Sequence, residues 1–401
     1  MLVLIFKYIS VYFYTSVCGF CYLFIFNPKA PPMQPHVYIK HIDIYRFSIP
    51  MEPFTIATGT MHYAQNVLIR IYTDAGYYGI GECSAFPMIV GETQDTCLAM
   101  ARDFAQLWDS QDALDIPARM QQLHNYTAGN YTIKSAFDMA LYDIAAKNAA
   151  MPLYRFLSGT RRIVETDITI GIAEPALMAQ KAVQFEQSGA TVLKVKLGKD
   201  ARQDVERIRQ IRQAVGANVK IRIDANQGWS FDEAVYALQA MGNMDVQFCE
   251  QPMRTWYNDR LPQLMQLSPV KIMADESVYT YHDARQQINS HSCHYINIKL
   301  AKSGGIHEAL KIHDLAALHS VPCMMGGMLE SRIALSAKLH LVYGCTNIQF
   351  FDMDTCMLGH LEDPCIGGVT YNGYFLNIDE APGIGADARP EFLDKCEHWQ
   401  V

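Results

Sequence analysis

The run Leu193-Lys194-Val195-Lys196-Leu197 alternates apolar and charged positions, so that three apolar residues share one face of a strand and two lysines the other. A lysine on a buried strand is costly unless a negative charge meets it. Downstream, Asp224, Glu250 and Asp275 each close a short apolar run, and Lys299 closes another. From residue 163 onward the strand, loop and helix patterns repeat. Strand ends are expected at Thr169, Lys196, Asp224, Glu250, Asp275, Lys299, Gly326 and Asp352, spaced 24 to 28 residues apart. Between them Val205, Ile208, Ile211 and Val215 form a helical stripe stopping at Gly216, and Ser230-x-x-Glu233 reads as a capping box opening a helix over 234–241. Eight such units predict a closed (β/α)8 barrel. An open doubly wound sheet is the rival, but no glycine-rich phosphate fingerprint follows an early strand.

Ahead of the barrel the rhythm differs. Val37–Ile49 and Asn66–Ile71 alternate with period two, and Thr73-Asp-Ala-Gly76 turns the chain into Tyr77–Cys83. Helical periodicity follows over 93–108 and 135–149, where Phe137, Ala140, Leu141, Ile144 and Ala145 make one stripe. The fold class is therefore α/β: a modified (β/α)8 TIM barrel over 163–365 with an N-terminal α+β capping domain over 36–160. Residues 366–401 lose the repeat and are expected to return to the capping domain.

Composition adds exclusions. The 401 residues carry a formal charge of −8 and no basic run, so no nucleic-acid partner is expected. Eleven cysteines without framework spacing read as reduced core thiols, the Cys18-x-x-Cys21 pair included. Ile9–Phe26 is an uncharged run of 18 residues that would suit a membrane anchor or a signal sequence. The reading preferred is that translation starts at Met33, which makes the protein cytoplasmic and without a membrane partner; a genuine 1–32 extension would make it anchored or exported.

At the carboxyl ends of barrel strands polar side chains converge on one mouth. In Ile221-Arg-Ile-Asp224-Ala-Asn226 the residues Asp224 and Asn226 share a face, and so do Asn297 and Lys299 in Tyr295–Lys299. Three acids on successive strands need a cation. An all-oxygen donor set favours a hard ion, Mg²⁺ first and Mn²⁺ second. Lys196 and Lys299, four strands apart, would then face each other across the substrate. A carboxylate held by a divalent ion loses its α-proton more readily, because the ion stabilises the enediolate, and two bases on opposite faces invert that carbon. Neighbouring cations are expected to depress the ammonium pKa toward a usable base. Lys194 is read as an electrostatic helper that binds the substrate carboxylate.

Lys194-x-Lys196, Asp224-x-Asn226, Glu250-Gln-Pro, Asp275-Glu-Ser and Asn297-Ile-Lys299-x-x-Lys302-x-Gly304-Gly305 resemble the enolase superfamily, in its muconate-lactonising-enzyme subgroup. The resemblance covers residues 36 to about 390. It implies one Mg²⁺ per subunit on Asp224, Glu250 and Asp275, with Asn226 and Glu276 supporting them, and Lys196 and Lys299 as bases. Phe351-Asp352-Met-Asp354 is similar to the Asp-x-Asp of the dipeptide epimerases, where two acids hold the free α-ammonium of a dipeptide. A salt bridge to Arg332 is the plain alternative for those two acids. Thr169, Gly326 and Gly327 match the same family as substrate contacts, the glycines by letting the dipeptide backbone approach. Arg332 departs from the small or apolar residue expected at its position.

The resemblance thus implies an isomerase, a dipeptide epimerase acting on the carboxyl-terminal residue, with a homo-oligomer expected. A succinylbenzoate-synthase-like or muconate-cycloisomerase-like lyase and an N-acylamino acid racemase are the alternatives on the same scaffold. Side-chain choice is expected from two capping-domain loops, Phe54–Tyr63 and Phe86–Thr93. Family members acting on Ala-Glu carry a basic residue in the first loop. Here the matching position is Gly59, and no Lys or Arg lies between Pro53 and Asn66, which favours a small or apolar, Ala-Ala-like dipeptide.

Overall fold

The structure, a computed structural model, describes residues 34–57 and 59–401. Ile9–Phe26, the Cys18–Cys21 pair and Met33 lie outside the described residues.

Three antiparallel strands build the capping sheet: β1 (Ile39–Ile56), β2 (Gly59–Thr73) and β3 (Tyr78–Ser84). The β2–β3 turn contains Gly76 at φ +83°, a conformation that suits glycine. The β1–β2 ladder runs further than the alternation predicts. Phe54 opposes Met61 and Thr55 opposes Thr60, so the stretch expected as a loop is the arm of a hairpin. Its register shifts between Pro50 and Phe54, where Pro50 and Pro53 offer no N–H to the ladder.

Four helices follow: α1 (Pro87–Val90), α2 (Gln94–Leu107), α3 (Ile116–Tyr126) and α4 (Tyr131–Asn148). Helix α4 lies against β3 so closely that a Cβ on Gly79 or Gly81 would fall on the backbone carbonyls of Ala140 or Ala136. That approach needs glycine.

Eight parallel strands form the barrel, in order: β4 (Ile168–Ile170), β5 (Val192–Lys196), β6 (Lys220–Asp224), β7 (Val246–Glu250), β8 (Ile272–Ala274), β9 (Tyr295–Ile298), β10 (Cys323–Met325) and β11 (Ile348–Phe351). Each ends within one residue of its predicted position. The predicted capping box is present, Ser230 and Glu233 opening the helix Phe231–Ala240. Between β11 and β4 the wall closes through single bonds, Asp167 N–H to Phe351 O at 3.1 Å and Met353 N–H to Thr166 Oγ1 at 2.8 Å.

The C-terminal segment comes back to the capping sheet, where the strand His398–Gln400 pairs with β1. Arg332 anchors part of this segment. Its guanidinium meets Asp363 at 2.7 Å and donates to the carbonyls of Cys365, Gly367 and Val369. It therefore does not pair with Asp352 or Asp354. Among the described residues no helix is long and apolar enough to cross a membrane.

Candidate active site

Parity and register carry the acids inward. Asp224 ends β6 and stands opposite Glu250 at the end of β7, while Asp275 follows β8. All three are fully buried. The lysines of β5 meet them directly. Lys196 Nζ lies 2.6 Å from Asp224 Oδ2, and Lys194 Nζ lies 2.7 Å from Glu250 and 3.3 Å from Asp224. On the far side Lys299 reaches Asp275 at 2.7 Å and Glu250 at 3.8 Å, and Lys302 reaches Asp275 at 2.6 Å.

These contacts set the titration. Burial alone would lower the ammonium of Lys299, but Asp275 and Glu250 outweigh it and push it above its ordinary value; Asp352, Glu250 and Asp224 do the same to Lys194. Each of these two lysines lies closer to acids than to other lysines, and that sets the direction. The acids divide. Burial raises Asp275 and Asp224, yet Lys299 and Lys302 hold the first below the ordinary carboxylate range, and Lys196 and Lys194 the second. Burial and the neighbouring Asp224 raise Glu250 to about 7, and burial and Asp275 raise Glu276 to about 8.

A second group of acids closes the other side. Asp352 and Asp354, just past β11, join Asp167, just before β4. One oxygen from each lies within 4.8 Å of the others, close enough to hold a cation. Asp352 binds Lys194 at 2.7 Å, which holds it down at about 2 against the effect of burial. Asp354 accepts from Thr169 N–H at 2.7 Å and is raised to about 7 by burial and by Asp352. Asp167 pairs with Arg222 at 2.7 Å, whose guanidinium lies over Phe248 and Phe350 inside the barrel. Neither residue was singled out by the sequence pattern. The signal was there in parity: Asp167 shares its face with Thr169, and Arg222 with Asp224.

Whether the first group fits a divalent ion can be judged from its own atoms. Both oxygens of Glu276 and Oδ1 of Asn226 are buried without a hydrogen-bond partner, and Glu250 Oε2 and Asp275 Oδ1 meet lysines without hydrogen-bond geometry. Among the described residues, seven buried acids around the mouth (Asp167, Asp224, Glu250, Asp275, Glu276, Asp352, Asp354) face five cations (Lys194, Lys196, Arg222, Lys299, Lys302). Fully ionised, the set is short of two positive charges. The all-oxygen donors fit a hard divalent ion.

Thr169, Lys196, Asn226, Lys299, Asp352 and Asp354 line one cavity. Its upper wall is apolar and comes partly from the capping domain through Phe54, Ile56, Phe86 and Ile89. Of the two glycines, Gly327 lines this cavity, whereas Gly326 packs beneath it, where a Cβ would fall on the Asn297 amide. Lys194, Asp224, Glu250, Asp275 and Glu276 lie behind the lining residues.

Residues 177–392 match the family model for the enolase C-terminal domain-like fold, and residues 41–158 that for the N-terminal domain of mandelate racemase / muconate lactonizing enzymes. A D-Ala-D/L-Ala epimerase of Cytophaga hutchinsonii is 39% identical over 362 residues, which are 90% of this chain and 98% of the relative. The crystal structure of a dipeptide epimerase from that organism, complexed with Mg and D-Ala-L-Val, superposes with a TM-score of 0.89 at 38% identity, covering 91% of this chain and 100% of that one. A dipeptide epimerase from Enterococcus faecalis, complexed with Mg and L-Leu-L-Tyr, gives 0.84 at 36% identity, covering 87% and 99%.

Proposed function

The chain belongs to the enolase superfamily, in its mandelate racemase / muconate lactonizing branch, and we propose that within it the protein is a Mg²⁺-dependent dipeptide epimerase. Asp224, Glu250 and Asp275 would hold the ion. Bound there, Mg²⁺ supplies a Lewis acid for the substrate carboxylate and takes over carboxylate charge that otherwise grips the lysines. Lys194 helps neutralise the same carboxylate. Lys196 and Lys299 act on the α-carbon, one taking the proton and the other returning a proton to the opposite face. Asp352 and Asp354 receive the α-ammonium of the dipeptide, one residue away from the reacting carbon, and Thr169 positions Asp354 through its N–H.

A single observation carries this reading: the two lysines, from β5 and the end of β9, line one cavity together with the Asp352–Asp354 pair. Lyase and cycloisomerase substrates bring no ammonium to such a pair. The preferred substrate is a dipeptide ending in a small or apolar residue. In support, among the described residues the only cationic side chains lining the cavity are the two lysines, and its roof is Phe54, Ile56, Phe86 and Ile89.

The test is exchange of the α-hydrogen of Ala-Ala dipeptides with deuterated water, followed by mass spectrometry. Lys196→Ala and Lys299→Ala should each abolish epimerisation, while one of them retains exchange from a single stereoisomer. Full turnover retained in either variant removes the two-base mechanism.

A further inference from the structure

We infer that Gln251 is the positioning residue that sets the spacing of the three metal-bearing strands; the inference rests on the proposed Mg²⁺ site. Gln251 follows Glu250 and is buried. Its amide makes every hydrogen bond an amide can make. Oε1 accepts from the backbone N–H of Asp275 at 3.0 Å and of Ser277 at 3.1 Å. Nε2 donates to Met253 O at 3.0 Å and to Ser277 Oγ at 2.8 Å. The side chain thus ties the end of β7 to the chain just past β8, at the residue whose carboxylate is the third ligand.

The backbone of the same residue ties the other two strands. Its N–H donates to Met273 O at 3.0 Å, and its carbonyl accepts from Gln227 N–H at 2.9 Å, three residues past Asp224. One residue therefore bonds to the segments that carry all three acids. It does so at φ +33°, a conformation non-glycine residues rarely adopt. Such a backbone persists where the surroundings over-determine it, and here four side-chain and two backbone bonds do so. Gln251 does not line the cavity and touches no substrate-facing atom named above. Its effect reaches the ion through the placement of Glu250 and Asp275.

The experiment is calorimetric titration of the metal-free full chain with Mg²⁺. Gln251→Met keeps the length and removes all four amide bonds. Displacing residues that hold metal ligands in place weakens the metal by about 10–100-fold, and a Kd increase in that range is expected. Gln251→Glu keeps the two acceptor bonds and loses both donors, and should fall between wild type and Gln251→Met; it carries the test if the methionine variant does not fold. Asp138→Ala, whose carboxylate bonds the backbone of Ile306 and His307 and none of the three acids, controls for lost stability and should leave the Kd unchanged. A Kd within twofold of wild type, or tighter, in the folded glutamine variants, together with lost binding in Asp275→Asn, overturns the brace and leaves the metal site standing. Wild-type affinity in Asp275→Asn overturns the metal site and the brace with it.

Discussion

Two regions of this molecule bury carboxylates, and they treat them in opposite ways. At the barrel mouth the acids meet lysine side chains, and several oxygens remain without hydrogen bonds. At the seam between capping domain and barrel Asp138 and Glu82 bind backbone N–H groups at the starts of two helices. Asp138 on α4 accepts from Ile306 and His307, the first residues of the helix Ile306–Leu318, whose own N-cap is Gly305 and has no side chain to offer. Glu82 on β3 accepts from Ser331 N–H at 2.9 Å and Ala334 N–H at 3.1 Å at the start of the helix Arg332–Gly344. An acid from one domain thus completes the helix N-terminus of the other. Backbone donors are fixed, and such acids fasten the domains. Lysine tips on long stems can swing aside, so the mouth acids remain available to a metal ion and a substrate.

The sharpest break in this comparison lies at the metal. Asp224→Asn, or chelation of divalent ions, should lower epimerisation by about a thousandfold or more, with Mg²⁺ restoring the chelated wild type only; mutational losses of this size follow removal of a main electrostatic stabiliser of a transition state. Folding should survive, because an acid held among lysines at the mouth fastens no helix. Circular dichroism alongside the kinetic assay checks both halves. A variant that unfolds would place Asp224 with the seam acids.

Next in size is the ammonium pair. Asp352→Ala or Asp354→Ala should lower kcat/KM for dipeptides by about a hundredfold, the loss of a buried charge-assisted contact of about 3 kcal/mol. N-acylated amino acids, which carry no ammonium, should lose far less. Equal losses for both substrate types would point to the racemase or lyase alternatives.

The seam should answer in stability and hardly in rate. Asp138→Ala leaves two helix-terminal N–H groups without their acceptor and should cost about 2–4 kcal/mol in a urea melt, with KM for the dipeptide unchanged. A change in KM with no loss of stability would deny the division between the regions.

The smallest effect is on pH. Burial raises the Asp138 carboxyl from its ordinary 3.8 to about 8, even against the two N–H donors. An acid raised in the folded state contributes stability that is present in full below its unfolded pKa and is lost as pH rises through the folded one. The contribution of Asp138 to stability should therefore decline between about pH 4 and pH 8. Asp138→Asn, which keeps an acceptor and cannot ionise, should reduce that decline by about 2 kcal/mol, as urea melts at pH 5 and pH 8 would show.

Much of the architecture was legible in the chain itself. Period-two runs ending in Lys196, Asp224, Glu250 and Lys299 fixed both the strands and the face of each side chain, because neighbouring residues on a strand point to opposite sides. The even spacing of the eight units supplied the barrel, and a barrel brings the carboxyl ends of its strands to one mouth. What lay beyond reach was who meets whom across long stretches of sequence. Lys194 bridges Glu250 and Asp352, Asp167 joins acids near residue 353 across the last barrel junction, and Asp138 caps a helix 168 residues away. Adjacency in sequence puts Lys194 beside Lys196, while the fold puts it among carboxylates, which raise its ammonium. Local pattern determines which face a residue takes. Only the closed barrel, with its capping domain seated on it, decides which charges share that face, since electrostatic energy depends on distance through space and not along the chain.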